Sequence, residues 1–180
     1  KLLAVDKTGT LTEGTPVVTD FIVREDVATE DALAILATIE GQSTHPLAQA
    51  ISRYAKEQEI QLLKDVSIKD IPGHGIEGTV NSIQYKVGKP DFVVRAEAEN
   101  FSNGALNRLA AEGKTVIFIR DDNGILALVA MKDTVREEAK KAVSALKEHG
   151  IHVVMLTGDN EHTANVIAKE AGVSEYVAEC

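Results

Sequence analysis

The segment Asp6-Lys7-Thr8-Gly9-Thr10-Leu11-Thr12 is the part of this sequence best equipped for chemistry. An aspartate carboxylate can attack a phosphoryl group, and nearby hydroxyls and amides can neutralise the charge that develops. At average residue frequencies the pentad Asp6 to Thr10 arises by chance in roughly one chain in ten thousand of this length. A surface turn would explain the glycine but not this residue order. A second polar loop, Thr157-Gly158-Asp159, can offer amides and a hydroxyl to a phosphate at a helix start. Taken alone, Asp159 or Asn160 simply caps that helix. Asp133 and Arg136 form a third polar pair, Asp-x-x-Arg, which equally reads as a capping Asp with an exposed Arg. Between these ends lie Glu40, Thr44-His45-Pro46, the turn Gly73-His74-Gly75-Ile76, and Gly88. Each is weak in isolation, because a His before Pro is usually a turn residue and a Gly-x-Gly turn is usually a plain loop.

The elements that must position these residues fall into two textures. At the ends of the chain, short unbroken apolar runs, Leu2 to Val5 and Ile151 to Leu156, each lead into one of the polar loops. Such runs predict strands of a parallel sheet buried on both faces, and ligands of such sheets bind at the carboxyl-end loops. Apolar residues at Val135, Ala139, Ala142, Val143 and Leu146 predict a helix over Asp133 to His149, stopped by Gly150. Ala164, Ile167, Ala168 and Ala171 predict another, ending near Gly172. In the middle, Glu30 to Glu40 is helical in pattern, and Pro46 suits the first turn of a helix with Leu47, Ala50, Ile51 and Tyr54 inward. The period then drops to two. Val66 and Ile68 alternate with polar residues, Gly73 to Gly78 reads as a Gly-rich turn, and Thr79 to Val87 reads as two strands around Asn81 and Ser82. Thr115 to Arg120 and Ile125 to Met131 flank Asp-Asp-Asn-Gly, a hairpin signal. An α/β layer over 1–14 and 132–180, interrupted by an α+β antiparallel-sheet insert over 15–131, is therefore expected. The two crossings, near Glu13 to Pro16 and Lys132 to Thr134, are hinge candidates.

Composition narrows the function. The 180 residues are 44% hydrophobic and 26% charged, with no Trp and a net charge of -9, which fits a globular fold. Nucleic acid is not expected as a partner, since no basic stripe is present. The single cysteine, Cys180, leaves no disulfide framework and no thiolate metal site, and fits a reducing, cytosolic setting. The longest apolar run, Ile125 to Met131, is far short of the ~20 residues of a membrane helix. Lys1 in place of an initiator Met suggests a piece of a longer protein.

With these residues in view, Asp6 to Thr12, DKTGTLT, resembles the phosphorylation motif of the P-type ion-transporting ATPases, whose catalytic domain has the haloacid dehalogenase-like (Rossmann-like) fold. The resemblance implies that Asp6 takes the γ-phosphate of ATP as an aspartyl-phosphate. It implies that Asp6 and the Thr8 carbonyl help hold Mg²⁺, with Lys7 and Thr10 in the surrounding loop. Hydrolases of this fold place a second Asp two residues after the nucleophile as general acid and base, and Thr8 stands there, which slows hydrolysis of the acyl-phosphate. Thr157-Gly158-Asp159 matches the family's TGD loop, and Asp133 with Arg136 its hinge element. Glu40, Ser43-Thr44-His45-Pro46 and Gly73-His74-Gly75 follow in the order found in the nucleotide-binding domain of the heavy-metal-transporting branch. This implies adenine recognition by Glu40 and His45, close backbone approach at Gly73, Gly75, Ile76 and Gly88, and nucleotide-linked roles for Asp133 and Arg136. Lys89 departs from the branch's usual Asn. The resemblance thus implies an incomplete phosphorylation domain, a cytoplasmic portion of an integral membrane protein. Its partners would be the actuator and membrane domains of the same polypeptide, and a heavy-metal cation, zinc, cadmium, cobalt or copper, handled by membrane helices. A soluble phosphatase of the same fold with a cap domain is the enzyme alternative. A metal-binding or regulatory module is a third reading, weakened by the absence of any His/Cys cluster.

Overall fold

The computed structural model describes all of residues 1–180, and the chain divides into two units. The first comprises 1–16, 107–115 and 132–180; the second comprises 17–106 and 116–131.

The first unit is built on three strands, β1 (Leu2–Asp6), β8 (His152–Leu156) and β9 (Glu175–Val177), in the order β1-β8-β9, all parallel. Helices α6 (Glu137–Glu148) and α7 (Glu161–Ala171) close a core of Val153, Met155, Val143, Ile167, Ala168 and Leu11. These side chains cluster because alternate residues of β8 meet one apolar stripe from each helix. Gly172, in the left-handed region at φ 76°, ends α7 as expected.

Three expectations for this unit are corrected. The run Leu2 to Val5 is not buried on both faces: β1 is the edge strand, Leu2 is 68% exposed and only Val5 leans on the core. The same residues suit an edge or a centre, so periodicity could not separate the two. The helix expected from Asp133 begins instead at Glu137. Residues 133–136 are extended because their polar groups are already engaged: Thr12 and Val135 form an antiparallel bridge, and the Arg136 amide donates to the Leu11 carbonyl at 2.9 Å. Val135 is buried at helical spacing without being helical, and Ala142 is exposed.

The second unit is a six-stranded sheet in the order β2-β7-β6-β5-β4-β3, from β2 (Val17–Val23), β3 (Val66–Ile71), β4 (Gly75–Val80), β5 (Ile83–Gly88), β6 (Thr115–Asp121) and β7 (Gly124–Lys132). Strands β3 to β6 pair antiparallel. Helices α1 (Thr29–Glu40) and α2 (Pro46–Glu57) pack on the sheet through Leu33, Leu36, Ile39 and Ile51 against Ile76, Val80, Val87 and Ile119. Gly78 permits the close seating of α1: a Cβ there would lie 2.9 Å from the Ile39 side chain. Three short helices, α3 (Pro90–Val93), α4 (Arg95–Ser102) and α5 (Ala105–Ala111), fill the connection from β5 to β6. The Gly-rich turn is shorter than expected. Residues 72–74 turn, and Gly75 to Gly78 belong to β4, because each pairs with a residue of β5.

Candidate functional site

The first cluster forms where β1 and β8 end together. Asp6 lies opposite Leu156 in the parallel register, so the loop after Asp6 and the loop Thr157-Gly158-Asp159 leave the sheet side by side. The Asp6 side chain is exposed and makes no hydrogen bond. Beyond it, Lys7 to Leu11 make a wide turn closed by the Thr12 amide donating to the Lys7 carbonyl at 3.0 Å, with Gly9 supplying the left-handed step at φ 75°. The turn sends the Lys7 side chain inward, where its ammonium is buried in an ion pair with Asp159. Asp159 also accepts from the Thr157 hydroxyl at 3.2 Å and from the Thr115 hydroxyl at 2.8 Å. The capping alternative is thereby resolved: Asn160, not Asp159, caps α7, its side chain accepting from the Thr163 amide at 3.0 Å.

A strap lies beneath the loop. Asp133 accepts from the Thr12 hydroxyl at 2.5 Å and from the Gly14 amide at 3.1 Å. The Arg136 guanidinium donates to the carbonyls of Thr12 at 2.9 Å and Glu13 at 3.3 Å. Asp133 and Arg136 therefore tie residues 12–14 to residues 133–136. The second carboxylate oxygen of Asp133 is buried with no partner.

The remaining candidate residues lie in the other unit. Glu40 closes α1 at 7% exposure. Burial, helped by the charge of Asp70, pushes its carboxyl up to about 7 from the ordinary 4.5, so near neutrality it can hold a proton and donate. His45 caps α2, its Nδ1 accepting from the Leu47 amide at 3.2 Å. This assigns the ring proton to Nε2 when His45 is neutral. Gly73, at φ 77°, has open space where a Cβ would stand. Gly75 and Gly88 differ, for they face each other across β4 and β5. A Cβ on Gly75 would meet the Val87 carbonyl at 2.1 Å, and one on Gly88 the His74 carbonyl at 2.6 Å. The Phe92 ring lies against both, so the protein's own packing requires these glycines. Ile76 points into the core rather than outward. Sequence reasoning missed Asp70, Phe92 and Thr115, and included Thr12 in its motif without the tie to Asp133. Only the alternation along β3 offered any sign of Asp70.

The oxygen donors at Asp6 and the Thr8 carbonyl suit a small hard cation. Mg²⁺ is such a cation, and it takes one or two carboxylates from a protein and completes its shell with water and phosphate oxygens. For a nucleotide, a buried carboxyl whose proton affinity is raised, a ring N–H and the open space at Gly73 are groups that an adenine edge can use.

The family model of haloacid dehalogenase-like hydrolases matches residues 1–180, and the chain belongs to that family. Within it, the chain is homologous to the catalytic region of heavy-metal P-type ATPases. It is 39% identical over 180 residues to a zinc-transporting ATPase of Bacillus subtilis, covering all of this chain and 28% of that protein. It is 42% identical over 179 residues to a copper-exporting P-type ATPase of Staphylococcus epidermidis, covering 98% of this chain and 22% of that one. The chain thus spans about a quarter of the length of these curated relatives. Among solved structures, a zinc-transporting PIB-type ATPase in its E2.Pi state matches all of this chain and 29% of its own, with a TM-score of 0.65 and 34% identity. The catalytic domain of the CPx-ATPase CopB-B, described for its conformational changes upon nucleotide binding, matches 99% of this chain and 60% of its own, with a TM-score of 0.76 and 30% identity. These relatives favour the ATPase reading over a free-standing phosphatase. No helix is long and apolar enough to cross a membrane.

Proposed function

We propose that the chain is the nucleotide-binding and phosphorylation region of a heavy-metal cation-transporting P-type ATPase, and that Asp6 is the residue phosphorylated. The reading is carried by one observation: the Asp6 loop and the Thr157-Gly158-Asp159 loop leave adjacent parallel strands together and are tied by the buried Lys7–Asp159 pair. An oxygen of Asp6 bonds to the γ-phosphorus of ATP, the bond from that phosphorus to the bridging oxygen breaks, and ADP departs with the electron pair. The exposed, unpaired Asp6 carboxylate needs no prior rupture of a hydrogen bond to do this. Thr8 brings no carboxylate to activate water, so the acyl-phosphate persists long enough to drive a conformational step. The Asp6 carboxylate and the Thr8 carbonyl would hold Mg²⁺, which when bound would neutralise phosphate charge.

Glu40 and His45 recognise the adenine, Glu40 as a donor from its neutral carboxyl and His45 through Nε2, while the backbone at Gly73 lies alongside. Gly75, Ile76 and Gly88 shape the strand ends that hold this turn. Asp133 and Arg136 hold the crossing segments in register. The Thr157-Gly158-Asp159 loop flanks the phosphate, and its Asp159 carboxylate holds Lys7 of the Asp6 loop against it. In the whole pump this region stands on the cytosolic face, the actuator and membrane domains belong to the same polypeptide, and the metal passes through membrane helices.

The test is incubation of the chain with ATP radiolabelled at the γ-phosphate and Mg²⁺, beside calorimetric titration of ATP and GTP. Label that hydroxylamine removes, absent in Asp6→Asn, together with selective ATP binding weakened in His45→Ala, is the expected result. Steady phosphate release from small phosphate esters, with no ATP binding, would establish the phosphatase instead.

A further inference from the structure

We infer that Thr115 is a positioning residue for the phosphate site: its hydroxyl, donated to Asp159 Oδ1, holds that carboxylate in the orientation from which Oδ2 receives the Lys7 ammonium. The inference rests on the function proposed above, which gives the pair its task.

The acceptor accounting of Asp159 shows why one hydroxyl matters. Oδ2 receives the Lys7 ammonium and, at 3.2 Å, the Thr157 hydroxyl. The Thr157 hydroxyl has a single proton, which goes to Oδ2, while its oxygen accepts from the Asp159 amide at 3.1 Å. Oδ1 receives Thr115 at 2.8 Å and no other donor. Asp159 is 9% exposed, so water does not substitute freely. Without Thr115 one oxygen of a buried carboxylate is unsatisfied, and the group gains by rotating toward another donor. Any such rotation moves the ammonium of Lys7, whose backbone is continuous with Asp6.

Thr115 is delivered to this place by backbone rather than by a flexible side chain. The preceding residues are seated on α7. The Lys114 carbonyl accepts from the Thr163 hydroxyl at 2.9 Å, and a Cβ on Gly113 would lie 3.0 Å from Val166 and 3.3 Å from Ile167. Gly113, at φ 76°, meets both the conformational and the spatial demand of that approach. A β-branched Thr then has few χ1 choices, so the hydroxyl arrives already aimed. Thr115 is also the first residue of β6, where the chain leaves the first unit.

Two readouts on the 180-residue chain test the assignment. The first is the side-chain ammonium resonance of Lys7 in the isotope-labelled protein, assigned by its disappearance in Lys7→Arg. A persistent resonance is expected, with hydrogen exchange accelerated about tenfold in Thr115→Val and restored in Thr115→Ser. Should Val disturb the backbone spectrum, Thr115→Ala replaces it. The second is the initial rate of Asp6 labelling from γ-labelled ATP, expected to fall about tenfold in Thr115→Val with KM for ATP unchanged and to recover in Thr115→Ser. Wild-type exchange at Lys7 in both Val and Ala, or no persistent Lys7 signal in the wild type, overturns the inference. Labelling at the wild-type rate in Thr115→Val overturns the role in the reaction. No labelling of the wild type, with the Lys7 signal still dependent on Thr115, overturns the phosphorylation reading and leaves the positioning contact standing.

Discussion

Replacing Glu40 by Gln should make the second unit less sensitive to pH and more stable in alkali than the parent. Glu40 lies at 7% exposure, and burial with the neighbouring Asp70 charge raises its carboxyl from 4.5 to about 7. The folded chain therefore holds a proton that the unfolded chain has released between those two values. The stability this contributes is fully present below about pH 4.5, falls as pH rises, and is gone above about pH 7. At about 1.36 kcal/mol per pH unit the interval corresponds to ~3 kcal/mol, an upper figure because the surroundings relax around the ionised form. A Gln keeps the shape and a hydrogen-bonding amide but cannot ionise. Urea titrations followed through the amide resonances of α1, at about pH 5 and about pH 8, should show the parent losing most of that ~3 kcal/mol and Glu40→Gln losing far less. A direct carbon-detected titration of the Glu40 carboxyl supplies the midpoint. A midpoint near 4.5, or an equal pH dependence in parent and variant, would refute the reasoning.

Lys7→Met leaves the Asp159 charge buried and unpaired, and should cost the first unit about 3–5 kcal/mol by urea titration read at α7. Adding Asp159→Leu should recover much of that loss, because the stranded charge is then gone. Gly75→Ala puts a Cβ 2.1 Å from the Val87 carbonyl, so β4 must part from β5. Hydrogen exchange at the Val87 and Gly88 amides should accelerate, and unchanged protection would mean the strands absorb the methyl group. Asn160→Ala removes the cap of α7 and should lower stability by about 1 kcal/mol, whereas Asn160→Asp should cost less, as thermal unfolding will show.

The placement of the two polar loops at the ends of β1 and β8 was legible in the sequence because it depends on local order. A short apolar run followed by Asp-Lys-Thr-Gly-Thr, and another followed by Thr-Gly-Asp, specify strand ends that carry ligand loops. What each side chain does there was less legible, since it depends on partners far along the chain. Asp159 and Asn160 are equal candidates for the α7 cap until Lys7, 152 positions away from Asp159, claims the first and leaves Asn160 to cap. Val135 sits at helical spacing but is held extended by Thr12 and Leu11, so the periodicity that places the rest of α6 misplaces its start. Edge and centre strands have the same composition when short, which is how Leu2 came to be expected inside and stands outside. The glycines give the opposite lesson. Gly73 has open space where a Cβ would stand, while Gly75 is spent on Gly88 and on Phe92, although Gly73 and Gly75 carry the same letter in the same motif. A motif therefore identifies which backbone must come close, and only the packing tells whether a ligand or the protein itself uses the space.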